Sequence, residues 1–89
     1  MKSRTTAKFR KMFADLPTQI QEQTRKAYRQ FKEDPNYPSL RFKKVHPILP
    51  IYSARINRDY RAVGQLEYDT IIWFWVGSHA EYNTLLDRI

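Results

Sequence analysis

The first third of the chain carries apolar residues at helical spacing. Within residues 7–16, apolar side chains recur at intervals of three and four, at Phe9, Met12, Phe13 and Leu16. A proline at position 17 ends this helix and suits the first turn of a second one, over residues 17–33. Its apolar stripe consists of Ile20, Thr24, Ala27, Tyr28 and Phe31. The two stripes predict a helical hairpin that packs against a flat surface.

After residue 40 the apolar pattern changes to the alternation that is typical of strands. We expect strands over residues 40–45, 51–57, 60–66 and 70–76. Short turns separate the last three, so these strands should be antiparallel. Residues 71–76 are apolar on both faces, which predicts a central strand that the helices cover on one side.

A short helix over residues 79–87 closes the chain, because Ser78 and Glu81 have the spacing of a capping box. The element order predicts one α+β domain over residues 1–89. We expect an N-terminal helical hairpin packed on a curved, mainly antiparallel sheet of three to four strands, with a short C-terminal helix.

The composition excludes several classes of protein. The chain has no cysteine, which excludes disulfides and thiolate zinc sites, and its two glycines cannot form a phosphate-cradling loop. Two histidines without metal-ligand spacing predict neither a metal site nor a cofactor. The longest apolar run has far fewer than the roughly 20 residues that span a bilayer. We therefore expect a cytoplasmic protein without a membrane partner.

The net charge of +7 predicts a polyanionic partner, and it is concentrated in two segments. Residues 1–33 contain nine bases and three acids, and residues 41–61 contain six bases and one acid. A solvated helix face explains the first segment. The second lies on predicted strands, which makes it the better candidate for binding a phosphate.

Strand 51–57 places Ser53, Arg55 and Asn57 on one face. An arginine between small polar residues indicates an open sheet face, and Arg61 on the next strand would share it. The alternative is that each arginine pairs only with a nearby carboxylate in a structural ion pair.

His79 is expected in the first turn of the last helix, with Tyr82 on the same face. A helix N-terminus favours neutral imidazole, which suits a base or a proton donor near neutrality. Arginine, histidine and tyrosine together suit metal-free cleavage of a phosphodiester by a ribose 2′-hydroxyl, a nucleophile that only RNA has. The alternative is that His79 is an exposed or capping histidine without chemistry.

In order and spacing, these segments resemble the RelE/ParE family of bacterial type II toxin–antitoxin toxins, over almost the whole chain. No single segment is specific. The resemblance is carried by Phe9, Leu16-Pro17, Ala27, the stretch from Phe31 to Pro35, Ser39-Leu40, and residues 52–56, 59–62 and 73–82.

The resemblance implies a ribosome-dependent mRNA endonuclease that inhibits translation and is neutralised by a cognate antitoxin. Arg55 matches the strand arginine that supports phosphate chemistry, and Arg61 matches the arginine of the family's Tyr-Arg pair. His79 matches the histidine after the last strand, and Tyr82 lies near the terminal aromatic. These four are the candidate catalytic residues.

The same resemblance predicts a basic surface that binds RNA and the ribosome. Lys43 and Lys44 lie on the strand where other members place basic residues, and Arg41 and Arg58 extend the surface on either side.

The chain departs from the family pattern at its N-terminus, where residues 3–6 are short and polar and mark a strand only poorly. It also offers no central glutamate or histidine as a second acid or base. The ParE branch inhibits DNA gyrase without catalysis and typically lacks a histidine at the position of His79, so His79 favours the ribonuclease branch. A gyrase inhibitor and a catalytically weak, basic RNA-binding module are the alternatives.

Overall fold

A five-stranded sheet and three α-helices make up the computed structural model, which describes all of residues 1–89. The helices are α1 (Ala7–Ala14), α2 (Thr18–Glu33) and α3 (His79–Arg88). The strands are β1 (Lys2–Thr5), β2 (Lys43–Lys44), β3 (Ile51–Arg55), β4 (Tyr60–Glu67) and β5 (Thr70–Ser78). None of the helices combines the length and apolar character needed to cross a bilayer.

The strand order is β1-β5-β4-β3-β2, and every pair is antiparallel except β1 with β5. The predicted α+β class, with its helical hairpin, mainly antiparallel sheet and C-terminal helix, is confirmed. The sheet has five strands instead of the three to four expected, because the polar N-terminal segment is a full member of it.

Long-range partners hold this segment in the sheet. β1 pairs in parallel with the first half of β5. Trp73 donates a hydrogen bond from Nε1 to Ser3 Oγ at 3.0 Å, and Ser3 Oγ donates to Tyr28 Oη on α2 at 3.1 Å. The serine thus joins a strand to a helix through its polar group, which hydrophobic alternation cannot reveal.

The strand expected over residues 40–45 is much shorter than predicted. Pro38–Leu40 forms a 3₁₀ turn instead, and Arg41 ends it in the left-handed region, with φ of 44°. Only two residues remain for β2, which pairs with β3 at the edge of the sheet.

The two predicted N-terminal helices are present with slightly different limits. Thr6 caps α1, since its Oγ1 accepts a hydrogen bond from Phe9 N at 3.0 Å. Pro17 is the N-cap of α2 and lies just outside the helix that it was expected to begin.

The α1–α2 hairpin covers one face of the sheet with the predicted apolar stripes. Phe31 is at the centre of this layer, with its ring edge-on to Phe42 and Trp73 at centroid distances of 5.0 and 5.2 Å. The other buried members of the layer are Phe9, Ala27, Leu40, Ala54, Ala62, Ile71 and Val76.

α3 covers the opposite face, where Tyr82 packs with Ile51, Val63 and Trp75. In a regular strand, Trp73 and Trp75 would point to the same face. They lie in different layers because β5 bulges between them: Val63 pairs with Trp75, but its neighbour Gly64 pairs with Trp73. Each tryptophan therefore anchors a different helical layer to the same strand.

Gly64 faces the side chains of β5 so closely that no larger residue fits. A Cβ atom at this position would lie 2.9 Å from Trp73 Cε3 and 3.0 Å from Ile71 Cγ1, both in the buried layer. We expect Gly64→Ala to lower the free energy of unfolding by about 1–3 kcal/mol through overpacking, measured by urea titration. Gln65→Ala, at the exposed next position of β4, is the control, and equal stabilities of the two variants would contradict this packing.

Candidate functional site

Arg55 and Arg61 lie side by side on the sheet face that α3 covers only in part. They form a cross-strand pair between β3 and β4, and both are half-buried. Neither forms a salt bridge, since the chain's single ion pair joins Lys2 and Asp69. The alternative that each arginine is held in a structural ion pair is therefore wrong.

A third arginine and a tyrosine lie close to this pair. Burial lowers the pKa of the Arg61 guanidinium, and the positive charges of Arg55 and Arg41 lower that pKa further. Tyr82 and Asp59 act in the opposite direction. Arg55 and Arg41 thus each repel Arg61, and a bound anion would relieve that repulsion; Arg41, Arg55 and Arg61 are named here the arginine cluster.

The turn between β3 and β4 fixes one side of the Arg61 guanidinium. Arg61 Nη1 donates to the carbonyl oxygens of Asn57 at 2.6 Å, Tyr60 at 3.0 Å and Arg58 at 3.3 Å. The other guanidinium nitrogens make no hydrogen bond within the chain, so they are available to a ligand.

Asn57 organises this turn. The predicted strand placed it on the open face with Arg55, but β3 ends at Arg55 and Asn57 lies in the turn that follows. Its Oδ1 accepts hydrogen bonds from the backbone N–H groups of Asp59 and Tyr60 at 2.8 and 2.9 Å. Its Nδ2 donates to Gln23 Oε1 on α2. Asn57 therefore ends β3 and ties the turn to the helical hairpin.

The start of α3 is fixed beside the same turn. The predicted capping box is present: Ser78 Oγ accepts from Glu81 N at 3.2 Å, and Glu81 Oε1 accepts from Ser78 N at 3.1 Å. The backbone N–H of His79 donates to Asp59 O at 2.7 Å. The first turn of α3 and the turn carrying Arg61 are thus held together.

The His79 ring is exposed and packs edge-on against the buried Tyr82, with ring centroids 5.8 Å apart. Asn83 Nδ2 lies 3.2 Å from His79 Nδ1. Asn83 was not among the predicted site residues, although its position four residues after His79 on a helix was a usable signal.

The basic residues predicted to bind RNA are separated by the sheet. Lys43 pairs with Ser53 and so lies on the face of the arginine cluster, one residue pair away. Lys44 pairs with Tyr52 and lies on the hairpin face. Arg58 is exposed in the β3–β4 turn.

His46 lies away from this site and has a structural environment. Its Nδ1 accepts hydrogen bonds from Ile48 N and Leu49 N at 3.1 and 2.8 Å, and its Nε2 lies 2.6 Å from Ile89 O. It thus joins the loop before β3 to the residue after α3. No group of three or more histidine, aspartate or glutamate side chains is placed to hold a metal ion.

This α+β fold occurs in solved toxins of the RelE type. The chain superimposes on a chain of the RelB–RelE antitoxin–toxin complex from Methanococcus jannaschii with a TM-score of 0.73 and 18% identity, covering 91% of this chain and 95% of that one. For the RelBE2 complex from Mycobacterium tuberculosis the TM-score is 0.69 at 20% identity, over 89% and 91%. For YafQ from E. coli it is 0.66 at 10% identity, over 91% and 96%.

The sequence itself matches the family model of the ParE-like toxin domain over residues 18–84. No sequence among the curated proteins matches significantly. The chain belongs to the ParE-like toxin family, and its predicted membership of the RelE/ParE toxins is confirmed.

Sulfate should stabilise the protein through the arginine cluster, because a ligand that binds only the folded state raises its apparent stability. We expect the melting temperature to rise more in sulfate than in chloride of equal ionic strength. Arg55→Ala should reduce this difference and the exposed-helix variant Arg29→Ala should preserve it, which separates binding from the general salting-out effect of sulfate. An equal sulfate response in all three proteins would contradict a bound anion.

The left-handed backbone conformation of Arg41 should lower the stability of the fold. Since this conformation crowds any Cβ atom, we expect Arg41→Gly to be more stable than Arg41→Ala by about 1 kcal/mol in urea unfolding. Both substitutions remove the same charge, so the comparison isolates the backbone effect. The result would go against this account if the alanine variant were as stable as the glycine variant.

Proposed function

We propose that this chain is the toxin of a type II toxin–antitoxin pair and that it cuts mRNA on the ribosome. One observation carries the proposal: Arg55 and Arg61 are adjacent, half-buried and without a carboxylate partner. Unpaired, partly desolvated guanidinium groups are unfavourable unless an anion binds them, and phosphate matches their donor geometry. The backbone of His79 is bonded to the turn that carries Arg61, and Tyr82 lies within electrostatic range of Arg61, so both residues can supply groups that transfer protons.

In the proposed reaction the arginine cluster binds the scissile phosphate. The ribose 2′-hydroxyl gives up its proton to solvent water and attacks phosphorus, the bond from phosphorus to the 5′-oxygen breaks, and negative charge accumulates on the other phosphate oxygens. Arg61 is already fixed through Nη1, so its free N–H groups can stabilise this charge without reorganisation. A 2′,3′-cyclic phosphate and a free 5′-hydroxyl are the expected products.

His79 is the proposed acid that protonates the leaving 5′-oxygen. The imidazolium form of His79 gives its Nε2 proton to this oxygen and becomes neutral imidazole, while the side-chain amide of Asn83, 3.2 Å from Nδ1, orients the ring. Tyr82 packs edge-on against the imidazole and lies within electrostatic range of Arg61. Asn83 therefore acts as a positioning residue for this step.

The proposed partners are mRNA, the ribosome and a cognate antitoxin in the cytoplasm. The outer face of the hairpin exposes a row of basic side chains suited to ribosomal RNA or an acidic antitoxin: Lys8, Lys11, Arg25, Arg29 and Lys32. Solved relatives include RelB–RelE antitoxin–toxin complexes, which supports an antitoxin for this chain as well.

Inhibition of DNA gyrase without catalysis is the second candidate function, and the match to a ParE-like family model favours it. It requires no proton transfer, so His79 and Tyr82 would then serve binding or stability only. Loss of plasmid supercoiling with intact mRNA would distinguish this function from the first.

Expression of the chain should arrest growth and produce new mRNA 5′ ends, mapped by primer extension. We expect Arg55→Ala and His79→Ala each to reduce cleavage about 10²-fold or more, because each removes charge stabilisation or proton transfer. Arg4→Ala, at an exposed arginine of β1 on the far edge of the sheet, is the control and should retain cleavage. Unchanged cleavage in the Arg55→Ala/His79→Ala double variant would overturn the catalytic assignment.

A further inference from the structure

Ser53 is a buried polar residue whose hydroxyl has no partner in the chain. It is 3% exposed, and the only other buried polar side chain, that of Thr24, donates to Ile20 O at 2.7 Å. Buried hydroxyls are normally hydrogen-bonded. Every fully shielded side-chain nitrogen or oxygen in this protein has a partner, so Ser53 Oγ must reach the solvent on its own face of the sheet.

That face is the one that carries the arginine cluster. Ser53 and Arg55 are two residues apart on β3, and therefore point the same way. Their separation along the strand is roughly 6.7 Å. Successive phosphates of an extended single-stranded nucleic acid are separated by a similar length.

Lys43 is the cross-strand neighbour of Ser53 and completes a second group of donors. Its cation is exposed and forms no salt bridge. Directly opposed side chains in an antiparallel pair have Cβ atoms roughly 5 Å apart, so the ammonium and the hydroxyl can reach one ligand oxygen group. On the other side of Ser53 lies the apolar Val63, which offers it no polar partner.

We propose that Lys43 and Ser53 form a second phosphate subsite, occupied by the phosphate next to the one held by the arginine cluster. The inference rests on the proposed RNA substrate. Ser53 Oγ donates a hydrogen bond to a phosphate oxygen, while the Lys43 ammonium supplies charge. RNA would then lie along β3, and tight binding would require two consecutive phosphates.

Two non-cleavable probes test this subsite: a 2′-O-methyl uridine dinucleotide with one phosphodiester, and the same dinucleotide with an added 3′-phosphate. Dissociation constants are measured by NMR titration of the full chain. We expect Lys43→Ala and Ser53→Ala each to weaken binding of the two-phosphate probe roughly ten-fold, and to leave the one-phosphate probe unaffected. Lys44→Ala, the neighbouring lysine on the opposite face, should change neither constant.

Ser53→Cys, which keeps the volume and weakens the donor, provides a second variant should the alanine variant fold poorly. The subsite is overturned if Ser53 and Lys43 variants bind the two-phosphate probe as the wild type does, while Arg55→Ala still weakens the one-phosphate probe. If Arg55→Ala weakens neither probe, the proposed phosphate site itself fails, and the subsite fails with it.

Discussion

β5 is covered on both faces, with Trp73 packed beneath the helical hairpin and Trp75 packed beneath α3. Aromatic side chains of this size bury roughly 150–250 Å² each and dominate the stability of a small core. The bulge between the two tryptophans makes double-sided burial possible, since regular alternation would send both to one face. β1, β4 and both helical layers are arranged around this one strand.

The position of the candidate site follows from the same strand. β5 continues directly into α3, and its last residues lie opposite Arg61, which pairs with Gly77. A Cβ atom at Gly77 would lie 2.9 Å from Trp75 Cη2, so the glycine leaves room for the indole that supports Tyr82. The bulge thus determines which side chains underlie the helix that carries His79.

The candidate site lowers the free energy of unfolding, and packing in the core must compensate for this loss. Arg55 and Arg61 repel each other in a half-buried position, and the exposed Arg41, which also repels Arg61, adopts a left-handed backbone conformation that disfavours any residue with a Cβ atom. Ser53 adds a hydroxyl without a partner in the chain on a residue that is only 3% exposed. Such features lower the stability of the free protein and are typical of surfaces organised for a ligand. Ser53, Arg55 and Arg61 lie on one face of the sheet.

Local patterns in the sequence determined the two amphipathic helices, the three-strand meander and the capping box at Ser78, because each depends on residues only a few positions apart. The order and spacing of these segments, which resemble those of the RelE/ParE toxins, also indicated the family. Tertiary structure alone decided that polar β1 joins the sheet, that β5 bulges, and that Lys43 and Lys44 lie on opposite faces. It also brought Arg41 within electrostatic range of Arg61. These features depend on pairing and packing between distant segments, whose energies no local periodicity encodes.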